Sequence, residues 1–280
     1  MKKICLIICL ALMSISSFAD QSQISAQTEV VASQTGKATY LGNEAIMLEA
    51  AGQKVLFDPF FHNVFDTYQL VPDQIIDALM NGIAPYDNID AIFISHAHGD
   101  HFFAGDLVKF LSLHSSTQLI APSQAIEQMA DSKEFDKIKS QITSISLSYQ
   151  EPPIQKTIVG LSFDVVRIPH AGWPQRAKVS NLVYRVRLAN NATVIHMGDA
   201  DPDDSHFKPL IAHWQSQKTN TAFPPYWFFS NAEGQMILSE RIGANENIGI
   251  HVPVRVPADL KASGARYFSD PGEIYKFKMN

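Results

Sequence analysis

The run Ser95-His96-Ala97-His98-Gly99-Asp100-His101 constrains this chain more than any other stretch. Four metal-competent side chains, His96, His98, Asp100 and His101, fall within six residues. Ala91-Ile92-Phe93-Ile94 directly precedes them and reads as a short buried strand. A tight loop leaving a rigid strand can turn such side chains towards one point, whereas a plain polar turn has no use for three imidazoles. Imidazole and carboxylate together suit zinc, manganese or iron, and a loop rich in both can hold two ions. Any fold for this chain must present that loop at a strand end.

The surrounding pattern supplies the elements for one such fold. Strands are expected at Val55-Leu56-Phe57 and at Gln118 to Ala121. Leu161, Phe163 and Val165 alternate with Ser162 and Asp164, a half-buried strand. Leu182, Tyr184, Val186 and Leu188 alternate in the same way against Arg185 and Arg187, and Asn190-Asn191 makes a hairpin turn before Thr193 to Met197. Helices are expected from Pro72 through Ile75, Ile76, Leu79 and Met80 to Asn81-Gly82, along Leu107, Phe110, Leu111 and His114, and from Pro122-Ser123 onward. With 280 residues, 46% of them hydrophobic, the chain can bury one large core. One domain with two sheets flanked by helices is the natural reading. The net charge of −6, without a long Lys/Arg run, argues against a nucleic-acid partner.

The N-terminus reads as a signal peptide, residues 1–19. Lys2 and Lys3 precede the apolar stretch Ile4 to Met13, and Ser17-Phe18-Ala19 offers a cleavage site after Ala19. Cleavage would leave no stable membrane anchor and would take the net charge from −6 to −8. It would also remove both cysteines, Cys5 and Cys9, so the mature chain could use neither disulfides nor thiolate ligands. The expected location is periplasmic or secreted. Residues 20–36 read as a flexible leader, with the folded domain at 37–280.

HxHxDH after an apolar strand resembles the metallo-β-lactamase superfamily of metallohydrolases. Three further positions match its pattern in order: His170 in Ile168-Pro169-His170, Asp199 in Met197-Gly198-Asp199, and His251 in Ile250-His251-Val252-Pro253. The resemblance implies a four-layer αββα sandwich. It implies one metal on His96, His98 and His170, a second on Asp100, His101 and His251, and Asp199 bridging them. The implied cofactors are two divalent ions, zinc first, with manganese or iron as alternatives. A water shared by the two ions would be deprotonated near neutral pH, with Asp100 as the catalytic residue that orients it and relays its proton. Tyr40-Leu41-Gly42 and Val55-Leu56-Phe57-Asp58-Pro59 look like the branch holding ascorbate-6-phosphate lactonase and N-acyl-phosphatidylethanolamine phospholipase D.

These readings lead to an exported hydrolase of a small-molecule lactone or phosphodiester. The rivals are a β-lactamase-type amide hydrolase and a non-catalytic metal- or ligand-binding protein. True β-lactamases of the superfamily carry Cys or Ser where Asp199 stands. Asp58 could accept a hydrogen bond from a ligand imidazole, and an Asp-Pro turn explains it equally well. His196 is expected in the core or behind the ligands. His206 reads as a substrate contact or part of a solvated loop. His62, His114 and His213 are expected to be structural or exposed. Phe223 to Phe229 reads mainly as a buried strand end, or else places Tyr226 or Trp227 at the mouth of a cleft, with the aromatic loop Pro59 to Tyr68 as a lid.

Overall fold

Strands that bury both faces have to be apolar on both, and the central strands meet that demand. In the computed structural model, which describes residues 35–278, Val55 and Phe57 of β3 (Gln53–Phe57) face one core and Leu56 faces another. Ala91 and Phe93 of β4 (Ala91–Phe93) split from Ile92 in the same way. The described residues form two seven-stranded sheets. The first runs β14 (Ile274–Lys278), β1 (Thr35–Gly42), β2 (Ala45–Ala50), β3, β4, β5 (Gln118–Pro122), β6 (Ile142–Ile145). The second runs β13 (Arg266–Tyr267), β12 (Glu246–Gly249), β11 (Thr221–Phe223), β10 (Thr193–His196), β9 (Leu182–Arg187), β8 (Leu161–Arg167), β7 (Ile154–Ile158).

Each sheet joins an antiparallel part to a parallel one. β1, β2 and β3 form a meander, and β3 to β6 are parallel. β7 to β10 are antiparallel, and β10 to β13 are parallel. The inner faces of the sheets meet in one core that includes Ile46, Leu48, Phe93, Phe163, Tyr184 and Val194. A second core lies between the first sheet and the helices Asp73–Met80, Ala104–Leu113 and Ser123–Met129. A third lies between the second sheet and segments that contribute Phe207, Trp214, Ile237 and Leu260. The architecture is thus the expected αββα sandwich. No helix among the described residues is long and apolar enough to cross a membrane.

Several local expectations shift. β1 begins at Thr35, so Thr35 and Gly36 belong to the sheet and not to the leader. The signal-peptide and cysteine readings fall outside the described residues. The helix of Leu107 and Phe110 stops at Leu113; His114 caps it with its backbone N–H on the Phe110 carbonyl (2.9 Å), while its ring donates to the Met80 carbonyl at the end of the neighbouring helix (3.1 Å). The polar side of the β8–β9 pair is not solvated as alternation suggests. Arg185 and Asp164 are both buried, and two N–H groups of Arg185 donate to Asp164 Oδ2 at 3.0 and 2.7 Å. Neutralising each other lets the two charges enter the sandwich.

Phe163 stands edge-on to Phe93, ring centroids 5.2 Å apart, in the middle of the inter-sheet core. Phe163→Ala would leave a cavity there. The expected loss is roughly 3–5 kcal/mol of folding stability, read as a lower urea midpoint at unchanged slope.

Candidate metal centre

All seven sequence-selected side chains converge at one end of the sandwich, each just beyond a strand. His96, His98, Asp100 and His101 follow β4, His170 follows β8, Asp199 follows β10, and His251 follows β12. The atoms sort into two groups. His96 Nε2 and His170 Nε2 each lie 3.1 Å from His98 Nδ1, and Asp199 Oδ2 is 3.2 Å from His170 Nε2 and 3.9 Å from His96 Nε2. In the second group, Asp199 Oδ1 is 3.3 Å from His101 Nε2 and 3.2 Å from His251 Nε2. Asp100 Oδ2 is 3.6 Å from His101 Nε2 and 3.5 Å from His251 Nε2. The two oxygens of Asp199 therefore face different groups.

These separations fit a cation in each group. Donors bound at 2.0–2.1 Å around a tetrahedral ion stand roughly 3.4 Å apart. The imidazole protons fit as well. Ser95 Oγ donates to Asp58 Oδ2, so it accepts from His96 Nδ1 (3.0 Å). His101 Nδ1 donates to Asp58 Oδ2 (3.0 Å), and His170 Nδ1 donates to the Ala171 carbonyl (2.8 Å). Each outer nitrogen holds its proton, which turns a lone pair at Nε2 into the cleft. The lone pairs of His96 and His170 both aim at His98 Nδ1, and one proton there could satisfy only one of them. His101 Nε2, His251 Nε2, Asp199 Oδ1 and Asp100 Oδ1 are buried without a hydrogen-bond partner among the described residues. Buried polar atoms rarely stay unpaired unless a ligand takes them up.

Charge is arranged to match. Burial pulls the His98 imidazole down to about 4, helped by His170 and His101, and lowers His96 well below the usual histidine range. Both imidazoles are then free of competing protons at neutral pH. Burial opposes charge on His101, but Asp199, Asp58 and Asp100 around it push its pKa well above the ordinary value, so these carboxylates favour a positive charge at Nε2, which a cation bound there would supply in place of a proton. Burial likewise opposes charge on Asp199, and His251 and His101 overcome it, so Asp199 stays ionised.

The supporting groups explain why these atoms meet. Asp58 closes β3 and accepts from the Ser95 backbone (2.7 Å), from Ser95 Oγ and from His101 Nδ1. It therefore orients two imidazoles and is no mere Asp-Pro turn. Asn181 donates to the Ile168 and Met197 carbonyls (3.2 Å each) and accepts from the Asp199 backbone (3.0 Å), tying His170 to Asp199. Gly198 has φ +53°, and a Cβ there would lie 2.4 Å from Asn181 Oδ1, so only glycine fits. Asn43 donates to the Asp100 carbonyl (2.8 Å), and its own carbonyl accepts from the His251 backbone (3.0 Å). Glu44 is wholly buried 3.7 Å from His101 Nδ1. Burial drives its carboxyl well above the usual range, against the pull of His101. Asn181 and Glu44 carry no local signal in the sequence, because their partners come from distant strands.

The other candidates scatter. His196 is buried, stacks on Phe57 and donates to the Glu44 carbonyl (3.0 Å), as expected of a core residue. His206 is neither a solvated loop residue nor a lining of the cleft. It is buried and bonded to the Tyr149 hydroxyl (2.8 Å). His62 is exposed and pairs with Asp106, while His213 contacts Arg185. Trp227, not Tyr226, reaches the cleft, with its ring 5.3 Å from that of His251. The cleft measures about 420 Å³, and Phe65 and Tyr68 of the aromatic loop also line it.

A family model described as "Beta-lactamase superfamily domain" matches residues 37–212. The chain belongs to the metallo-β-lactamase superfamily. Two proteins named "UPF0173 metal-dependent hydrolase" are similar to it. That of Aeropyrum pernix is 28% identical over 95 residues, which is 34% of this chain and 33% of that protein. That of Opitutus terrae is 30% identical over 94 residues, which is 34% of each. The matches thus span about a third of either relative. Among solved structures, the metallo-β-lactamase fold protein YhfI from Bacillus subtilis superposes with TM-score 0.56 at 15% identity, over 87% of this chain and 99% of that one. Igni18, a metallo hydrolase from Ignicoccus hospitalis, gives 0.56 at 17%, over 88% and 100%. Both share the metallo-β-lactamase fold.

Asp58→Ala frees the outer nitrogens of His96 and His101 while leaving every candidate metal-binding atom in place. The expected result is a 10- to 100-fold weaker metal affinity, about the usual loss when such a partner is removed. Competition with a chromogenic chelator measures it.

Proposed function

We propose that this protein is a binuclear metal-dependent hydrolase acting on a lactone or a phosphodiester. One observation carries the reading. Asp199 presents Oδ2 to the His96–His98–His170 group and Oδ1 to the His101–His251 group, so a single carboxylate would serve a cation in each. His96, His98 and His170 would hold the first ion, and Asp100, His101 and His251 the second. Two such ions lower the pKa of a water and neutralise charge growing on the substrate oxygen. Zinc suits the donor set best, and manganese or iron also fits.

The chain's own residues complete the chemistry. Asp100 Oδ2 faces His101 and His251, and its Oδ1 is buried and unpaired among the described residues. It can accept the proton of the attacking water and return it to the leaving oxygen. His251 and His101 keep Asp100 ionised despite its burial, as a base requires. The cleft is walled by Tyr68 and Trp227, which shield one side from water. The hydrolase names of the relatives support this class of chemistry. The choice of lactone or phosphodiester follows the resemblance of Tyr40-Leu41-Gly42 and Val55 to Pro59, and export follows residues 1–19.

Elemental analysis after loading with zinc or manganese should give about two ions per chain. A protein that stays at one or none would sink the binuclear reading. Asp100→Asn should lower turnover of a responsive lactone or phosphodiester by roughly 10²–10⁴ while the thermal midpoint holds. Hydrolysis confined to penicillins and carbapenems would overturn the substrate class and leave the metal centre standing.

A further inference from the structure

Arg176 is the one cationic side chain lining the cleft among the described residues. Its guanidinium forms no ion pair with a described carboxylate. Its Nη1 stands 3.4 Å from His170 Nδ1, but that nitrogen already donates to the Ala171 carbonyl. Two donors facing each other do not bond. Arg176 therefore presents five N–H groups beside the first cation site, with no acceptor for them among the described residues.

The segment that carries Arg176 is fastened along its length. Asp201 Oδ2 accepts from the backbone of Gly172 (2.9 Å) and Trp173 (3.2 Å). Trp173 packs on the Tyr149 ring at 4.8 Å. Arg167 donates to the Ala177 carbonyl (2.8 Å), and Gln124 donates to the Lys178 carbonyl (2.7 Å) and accepts from the Ser180 backbone (2.9 Å). The guanidinium thus rises from a braced loop, and ordering that backbone costs nothing further when a ligand arrives. Across the cleft, on the His251 side, stand the rings of Tyr68 and Trp227.

We infer that Arg176 anchors an oxyanion of the substrate next to the first cation site, and that the substrate carries an anionic group on that side and an apolar group on the other. This deepens the hydrolase reading and rests on it. The shared chemistry is a phosphate or carboxylate oxygen pair, which a planar guanidinium grips with two parallel N–H bonds. A phosphodiester supplies it at the scissile centre, and a lactone supplies it through a carboxylate or phosphate substituent. In a chain of net charge −6, long-range attraction does not select anions, so a local cation has to.

The test uses the full metal-loaded protein, Arg176→Gln and Arg176→Lys, with bis(4-nitrophenyl) phosphate as anionic substrate and 4-nitrophenyl butyrate as neutral one. Arg176→Gln should raise KM for the phosphodiester at least about tenfold, with kcat changed less than about threefold, and should leave KM for the neutral ester within about twofold. Arg176→Lys should recover part of the loss. Calorimetry with phenylphosphonate, which is not hydrolysed, should show at least about tenfold weaker binding to Arg176→Gln. Equal losses on both substrates, an unchanged phosphodiester KM, or loss of metal from Arg176→Gln would overturn the anchor. If the wild type turns over neither substrate, nor a lactone, the lactone-or-phosphodiester reading fails on its own. The phenylphosphonate arm then still decides, since equal or absent binding by the two proteins overturns the anchor.

Discussion

Strand direction sets where the chemistry of this protein can sit. β3, β4, β10 and β12 all run out at the same end of the sandwich, and β8 joins them because it is antiparallel to β9, which is antiparallel to β10. Loops that leave parallel strands from one edge meet without crossing the core, and they meet on a rigid base. The inter-sheet core holds that edge together. Leu182, opening β9, donates its backbone N–H to the Ser95 carbonyl (2.9 Å), and the Tyr184 hydroxyl donates to the Ile94 carbonyl (2.9 Å). The second sheet therefore grips the metal loop of the first.

Crowding imidazoles and carboxylates within a few ångströms of one another is unfavourable without a compensating charge. The fold resists the resulting repulsion with hydrogen bonds behind the groups. Asp58, Asn181 and Asn43 each hold two segments of the site, and none of them points into the cleft. Strain is accepted where this needs it. Asp58, Asn43 and His251 all have positive φ, a conformation that non-glycine residues adopt only when their surroundings enforce it. Burial behind His101 disfavours a charge on Glu44 and pushes its carboxyl well above the usual range, against the pull of His101. The result is a pocket preorganised for cations, with its lone pairs already turned inward.

Much of the fold is legible in the order of residues. The strands around Val55, Leu119, Phe163 and Tyr184 show there because burial on a pleated face demands alternation or continuous apolar runs. The helix from Asp73 to Met80 shows through its spacing and through Pro72 and Asn81-Gly82 at its ends. The polar alternates mislead, because alternation says only that Arg185 and Asp164 share a face. It cannot say that segments around Trp214 and Ser216 cover that face. His206 misleads for the same reason. Neighbouring aspartates suggest solvent, but Tyr149 comes from far along the chain to bury it.

Side-chain type and periodicity are local properties, and they already set the chemistry available to this chain: which residues can bind a cation, their order, and the strands they follow. The sorting of the donor atoms into two clusters is not local. Neither is the way Asp199 splits its oxygens between them, the service of Asp58 to two imidazoles, or the place of Arg176 over the cleft. Each of these depends on distances between residues tens to hundreds of positions apart, and the packing of two sheets against each other is what sets such distances.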